Sequence, residues 1–173
     1  MITVEQGSLT IRGMVTTLVK SPLIQTSGEF ESGYAFKDGF DKPDKFNNTF
    51  EYLYEIYSKY FDEIRKARPQ LWVSSNSAGK TVSNKGRIAQ NTPIGGFILL
   101  LDLFIQRKSK PRKKILNTDV LNLIGKLTNK LSVMTNEDEE ALFDGQTYGG
   151  SGPKQFYHQL LENFNPDLID DDI

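Results

Sequence analysis

The hydrophobic pattern has one dominant feature. From Thr92 to Gln106 the chain reads TPIGGFILLLDLFIQ, and between Ile94 and Ile105 the single polar side chain is Asp102. A helix that is apolar all round must be covered all round. About a dozen apolar positions fall short of the roughly 20 that span a bilayer. The stretch therefore predicts a central core helix. Thr92 is placed to cap it and Pro93 to take its first helical position, since proline's fixed φ suits that place. Gly95 and Gly96 each cost about 1 kcal/mol of helix propensity relative to alanine. In return they allow another backbone to come close.

Other segments carry the three-four spacing of amphipathic helices. Ile11, Met14, Val15, Leu18 and Val19 predict a helix near residues 8–20, ended by Ser21-Pro22. Residues 22–46 hold Pro22, Gly28, Gly33, Gly39 and Pro43 and read as a long loop, with room for a short strand or turn around Tyr34–Phe36. Asn47 and Asn48 are placed to cap a helix reaching about Lys66. Its apolar stripe is Phe50, Leu53, Tyr54, Tyr57, Phe61 and Ile64, widened by Ile56 and Tyr60; Glu51, Glu55, Lys59 and Asp62 face out. Pro69 closes it. Leu71-Trp72-Val73 and Thr81-Val82 around SSNSAGK allow a small β-hairpin.

Beyond the central helix, Asn117 or Thr118 caps a helix that buries Val120, Leu121, Ile124, Leu127 and Leu131. Asn136 to Leu142 forms a short acidic helix, with Asn136 and Glu139 at capping-box spacing. Gly149, Gly150 and Gly152 mark a loop, and Pro153 starts a last helix with the face Phe156, Tyr157, Leu160, Leu161 and Phe164. Residues 167–173 form an acidic, frayed tail. The whole predicts a single mainly α domain over residues 1–173. Five or six helices surround the central one, and the pattern leaves room for one small β-hairpin.

Composition alters this picture in two ways. The 173 residues contain no cysteine, which removes disulfides and thiolate metal sites. The net charge of −1 conceals a strong asymmetry. Residues 71–130 carry 11 Lys and Arg against 2 Asp and Glu, while residues 131–173 carry 1 against 10. A basic middle followed by an acidic end reads first as two blocks that face each other or lie solvated, since exposed charge is the default state of a surface. The N-terminus lacks the basic-then-apolar layout of a signal peptide.

Catalytic chemistry finds little support. His158 is the single histidine, and no His, Asp or Glu cluster around it has metal-ligand spacing. Asp102 in an apolar helix is a candidate buried carboxylate. It reads as a partner of the middle block's cations or as a cap on a neighbouring helix, and no second group supports acid–base chemistry. SAGKT resembles a phosphate loop only in part, because Ser74 stands where Gly-x-x-x-x-Gly-Lys-Ser/Thr needs its first glycine. The sequence thus points to no enzyme, no metal and no cofactor.

Binding chemistry is concentrated in RKSKPRKK, where Arg107, Lys108, Lys110, Arg112, Lys113 and Lys114 place six cations in eight residues. Such a density suits duplex phosphates, and Lys80, Lys85 and Arg87 could join it. The run lacks interleaved aromatics, so selective single-strand binding is not expected. A solvated connector or a contact for an acidic protein remains an equal reading.

The order of features also resembles a known family. YLYEIYSKYFDEI leads into a proline and LW; a polar turn follows, then NKGRIAQNTPIGGFILLLDLFI, and near the end TYGGSGPKQFYHQLLENFNPDL. Over about residues 47–167 this is similar to the C-terminal helical region of DGQHR-domain proteins, which include the DndB-type proteins of DNA sulfur-modification systems. In that family the region follows a ParB-like portion bearing the motif Asp-Gly-Gln-His-Arg. Here Asp144-Gly145-Gln146 is followed by Thr147 and Tyr148, so no role is carried onto it. The resemblance implies a bacterial cytoplasmic setting linked to DNA modification or phage defence, and a chain corresponding to the C-terminal portion alone. The expected partners are duplex DNA, read from the basic run, and a ParB-like DGQHR-bearing protein or another subunit of a modification complex, which the resemblance implies; no segment is long enough to cross a membrane, so no membrane partner is expected. The expectation is a non-enzymatic accessory domain that binds DNA or such a complex; the alternative is a protein-interaction or oligomerisation module with no nucleic-acid contact.

Overall fold

The computed structural model describes residues 43–72, 87, 88, 90–108, 116–143 and 151–169, with side chains for 51, 53–72 and onward to 163. The expected helix at 8–20, most of the 22–46 loop, the Ser74–Val82 segment, Gly149, Gly150 and residues 170–173 lie outside them. Five α-helices make up the described chain: α1 (Pro43–Ala67), α2 (Asn91–Lys108), α3 (Thr118–Val133), α4 (Asn136–Phe143) and α5 (Gly152–Ile169). Among the described residues there is no strand. Leu71 and Trp72, expected in one arm of a hairpin, belong instead to a 3-10 turn over Pro69–Leu71 and the residue closing it. Proline at the head of that turn explains the difference, since it lacks a ladder donor and its φ is set for a turn.

α2 is the core helix. Ile94, Phe97, Ile98, Leu100, Leu101, Phe104 and Ile105 are all buried, with Leu100 and Phe104 at 0% and 1% exposure. It packs most extensively along α5; α1 packs on α3, and α3 also touches α2 and α5. The seam between α2 and α5 explains Gly96. A Cβ built there would lie 2.5 Å from Phe156 Cδ1 and 3.1 Å from the backbone nitrogen of Tyr157. Only a residue without a side chain admits so close an approach. Phe97 and Phe156 meet edge-on at 5.6 Å, and Phe143 of α4 stacks on Phe156 at 5.4 Å.

Several boundaries differ from the sequence expectation. α1 begins at Pro43, so residues 43–46 are helical and Asn47 and Asn48 lie inside the helix. Proline is suited to a helix's first position, where its missing N–H costs nothing. α2 begins at Asn91, with Ile94 N donating to Gln90 O at 3.0 Å. Thr92 is therefore a buried first-turn residue and not the cap. Pro93 permits this because the first turn needs no intrahelical donors. α5 starts at Gly152 and reaches Ile169, so residues 167–169 of the expected tail are helical.

Which faces are buried also shifts. In α1, Ile56, Tyr60, Phe61 and Ile64 are buried, with Leu53 and Tyr57 packed beside them, but Tyr54 is 59% exposed. At 3.6 residues per turn Tyr54 shares the edge of this face with Phe61, so the placement of neighbouring helices, and not periodicity, leaves it exposed. In α3, Leu123 is buried and Leu121 is exposed. The row 120, 123, 124, 127, 131 leaves position 121 at its margin. The acidic helix is capped one residue earlier than expected. Asp138 N donates to Thr135 Oγ1 at 3.1 Å, and Thr135 N donates to Asp138 Oδ2 at 3.0 Å. That reciprocal box leaves Glu139 free to turn inward, where it pairs with Arg68.

Candidate nucleic-acid interface

The end of α2 carries what the described residues show of the basic run. Arg107 and Lys108 form the last turn of α2, with Arg107 exposed and Lys108 half-buried. Cations are favoured there because the helix's C-terminal end carries partial negative charge. Lys110, Arg112, Lys113 and Lys114 lie outside the described residues. The chain returns at Leu116, which is buried, and Asn117. Asn117 Oδ1 accepts from Val120 N at 2.9 Å and caps α3. Its Nδ2 donates to Lys108 O at 2.8 Å. One amide thus satisfies an orphan donor at one helix end and an orphan acceptor at another. The sequence narrowed the cap to Asn117 or Thr118, and the structure places it at Asn117. The second bond was not, because it depends on where α2 ends in space.

Of the three cations expected to join the run, Lys80 and Lys85 lie outside the described residues. Arg87 is half-buried and precedes Ile88, whose N–H donates to Leu71 O at 3.1 Å. Other basic side chains are engaged locally. Arg65 pairs with Asp62 and Lys66 with Glu63, both at 2.7 Å and well exposed. Such surface pairs contribute little to stability. Lys66 has its ammonium pKa raised by the hydrogen bond from its side chain to Glu63 and by that carboxylate's charge.

A second charged contact is buried. Arg68 donates through Nη2 and Nε to Glu139 Oε2 at 2.8 and 3.3 Å, with side-chain exposures of 11% and 8%. It ties the end of α1 to α4 across 71 residues, and nothing local in the sequence announces it. At that burial each charge depends on the other.

The interior of the bundle holds polar groups near α2. Tyr60 donates its hydroxyl to Phe97 O at 3.0 Å. Burial raises its phenol pKa well above 10.0, and the nearby Asp102 charge raises it further. Tyr157 of α5 is raised from 10.0 by burial; Arg107 pulls the value down and Asp102 pushes it up. Asp102 is itself 4% exposed. The sequence singled out Asp102 but gave Tyr60 no role beyond filling space. Aromatic spacing alone does not reveal a hydroxyl aimed at a carbonyl of another helix. His158 is exposed and its ring lies 5.4 Å from Tyr157.

Among the described residues no three His, Asp or Glu side chains gather where they could hold a metal ion. No helix of the described residues is long and apolar enough to cross a membrane. The chain matches no protein-family model, no curated protein and no solved structure.

Proposed function

We propose that this chain is a non-enzymatic accessory domain that binds duplex DNA, alone or within a bacterial DNA-modification complex in the cytoplasm. The observation that carries this reading is the basic run itself: Arg107, Lys108, Lys110, Arg112, Lys113 and Lys114 within eight residues. Support also comes from where it starts, on the last turn of the buried core helix. Cations anchored on a rigid element lose less freedom on binding than cations on a free chain. The modification setting, and a ParB-like partner, are what the resemblance to DGQHR-domain proteins implies.

Phosphate contacts release counterions, so affinity for random-sequence duplex should fall with salt at a log–log slope of about −0.9 per phosphate neutralised. Replacing Arg107, Lys108, Arg112 and Lys113 together by alanine should weaken binding to all sequences alike, because phosphates carry no base information. Fluorescence anisotropy across a salt series measures both. A wild-type chain that binds no duplex even at low salt would overturn the reading and favour the protein-interaction module.

A further inference from the structure

We propose that Asn117 is a positioning residue for Arg107 and Lys108, holding the basic last turn of α2 against the start of α3. The inference rests on the DNA-binding reading above and names how these two of its cations are fixed. Its Nδ2–H closes on Lys108 O at 2.8 Å while its Oδ1 closes on Val120 N at 2.9 Å. Leu116, buried at 5% exposure beside it, keeps the asparagine from drifting outward.

Two physical consequences follow from that double bond. The last carbonyls of a helix lack intrahelical donors, and the final turn frays unless something satisfies them. Asn117 supplies one such donor at the residue bearing a candidate phosphate ligand, so Arg107 and Lys108 stay on a formed helical turn. The second consequence is electrostatic. Bare carbonyls at a helix C-terminus make an unfavourable surface for an anion. An amide donated to Lys108 O occupies one of them, which reduces the repulsion a phosphate meets beside Arg107. Side chains that could cap α3 equally well, such as serine, accept from Val120 N but present no amide to Lys108 O.

The experiment uses the full chain and the substitution Asn117→Ser. It retains a capping oxygen for α3, replaces the amide that reaches Lys108 O with a shorter hydroxyl, and adds no charge. Trypsin cleavage after Arg107 and Lys108 is measured alongside thermal unfolding and binding to random-sequence duplex DNA. The expected result is an unfolding midpoint lowered by only about 2–4 °C. Cleavage should be about 3- to 10-fold faster, in keeping with the loss of one net hydrogen bond. Duplex affinity should be weaker by a similar factor with the same salt slope, since the number of phosphates met is unchanged. Should Asn117→Ser fail to fold, Asn117→Asp takes its place in the cleavage arm, because its carboxylate still caps Val120 and has no N–H for Lys108. Unchanged cleavage in the folded variant would overturn the tie whatever the DNA result. Faster cleavage with unchanged duplex affinity would overturn the positioning role. If wild type binds no duplex, the functional reading falls and the positioning role with it, and faster cleavage then identifies Asn117 as a helix cap alone.

Discussion

The seam between α2 and α5 and the outer face of α3 each contain a helical glycine, and the two glycines have opposite reasons to be there. At Gly96 a methyl group would enter the ring of Phe156, at 2.5 Å from Cδ1. At Gly125 it would meet nothing within 4 Å. The seam is filled by interlocking side chains, with Phe97, Phe156 and Phe143 in successive ring contacts. The α3 face turns Leu121, at 37% exposure, and Gly125 toward solvent. The same residue type is therefore required by packing at one site and weakens the helix at the other.

The seam side of this contrast should give the largest effect. Leu100, wholly buried on α2, should cost about 2–5 kcal/mol when cut to alanine, because the cavity adds to the lost transfer energy. Urea unfolding measures it, and a loss below about 1 kcal/mol would show that the core collapses around the gap. Next is Gly96→Ala. Its helix-propensity gain of about 1 kcal/mol opposes overpacking of about 1–3 kcal/mol. Phe156 is buried, and its Cβ and the Tyr157 backbone nitrogen also stand within 3.2 Å of the new carbon, so the ring has little freedom to yield. A net loss of stability is expected, and a gain would show that the seam opens at low cost.

Gly125→Ala should move the other way. With open space around the new carbon it should raise stability by about 1 kcal/mol in the same urea series. A loss there would mean that the α3 face is covered in solution, which gel filtration at rising concentration would detect.

The smallest effect concerns the cap of α4. Hydrogen bonds from the Thr135 side chain and then its backbone N–H hold the exposed Asp138 carboxyl below its ordinary value of 3.8. A depressed folded pKa means that the carboxylate stabilises the fold fully above the unfolded value near 3.8, and that this contribution fades as pH falls through the folded value. Thr135→Val removes the hydroxyl. An NMR titration should then show the Asp138 pKa moving back up, and amide exchange in α4 should become less sensitive to acid. An Asp138 titration unmoved by the substitution would assign the shift elsewhere.

What the sequence determined by itself is the five helices of the described residues and the identity of their core. The apolar run Ile94–Ile105 admits no other placement than burial, and all of it is buried except the half-buried Leu99 and Leu103. Asn117 before an amphipathic stretch is a local signal with a local cause, and it caps α3. Gly96 was legible as a site of close approach, because glycine in an apolar helix is costly unless space is the reason. The basic run, too, stands in the sequence as a cluster of charge, and its role is read from that density. Tertiary structure decided what periodicity leaves open. Tyr54 and Leu121 sit at the margins of their stripes, and only the placement of neighbouring helices settles that both are exposed. Arg68 finds Glu139, and Tyr60 finds the carbonyl of Phe97, across 71 and 37 residues. Asn117 reaches Lys108 because α2 ends where α3 begins in space. Local spacing fixes which face of a helix is apolar, since that depends on residues a turn apart. Which polar groups meet depends on how whole helices dock, and no short-range pattern encodes that.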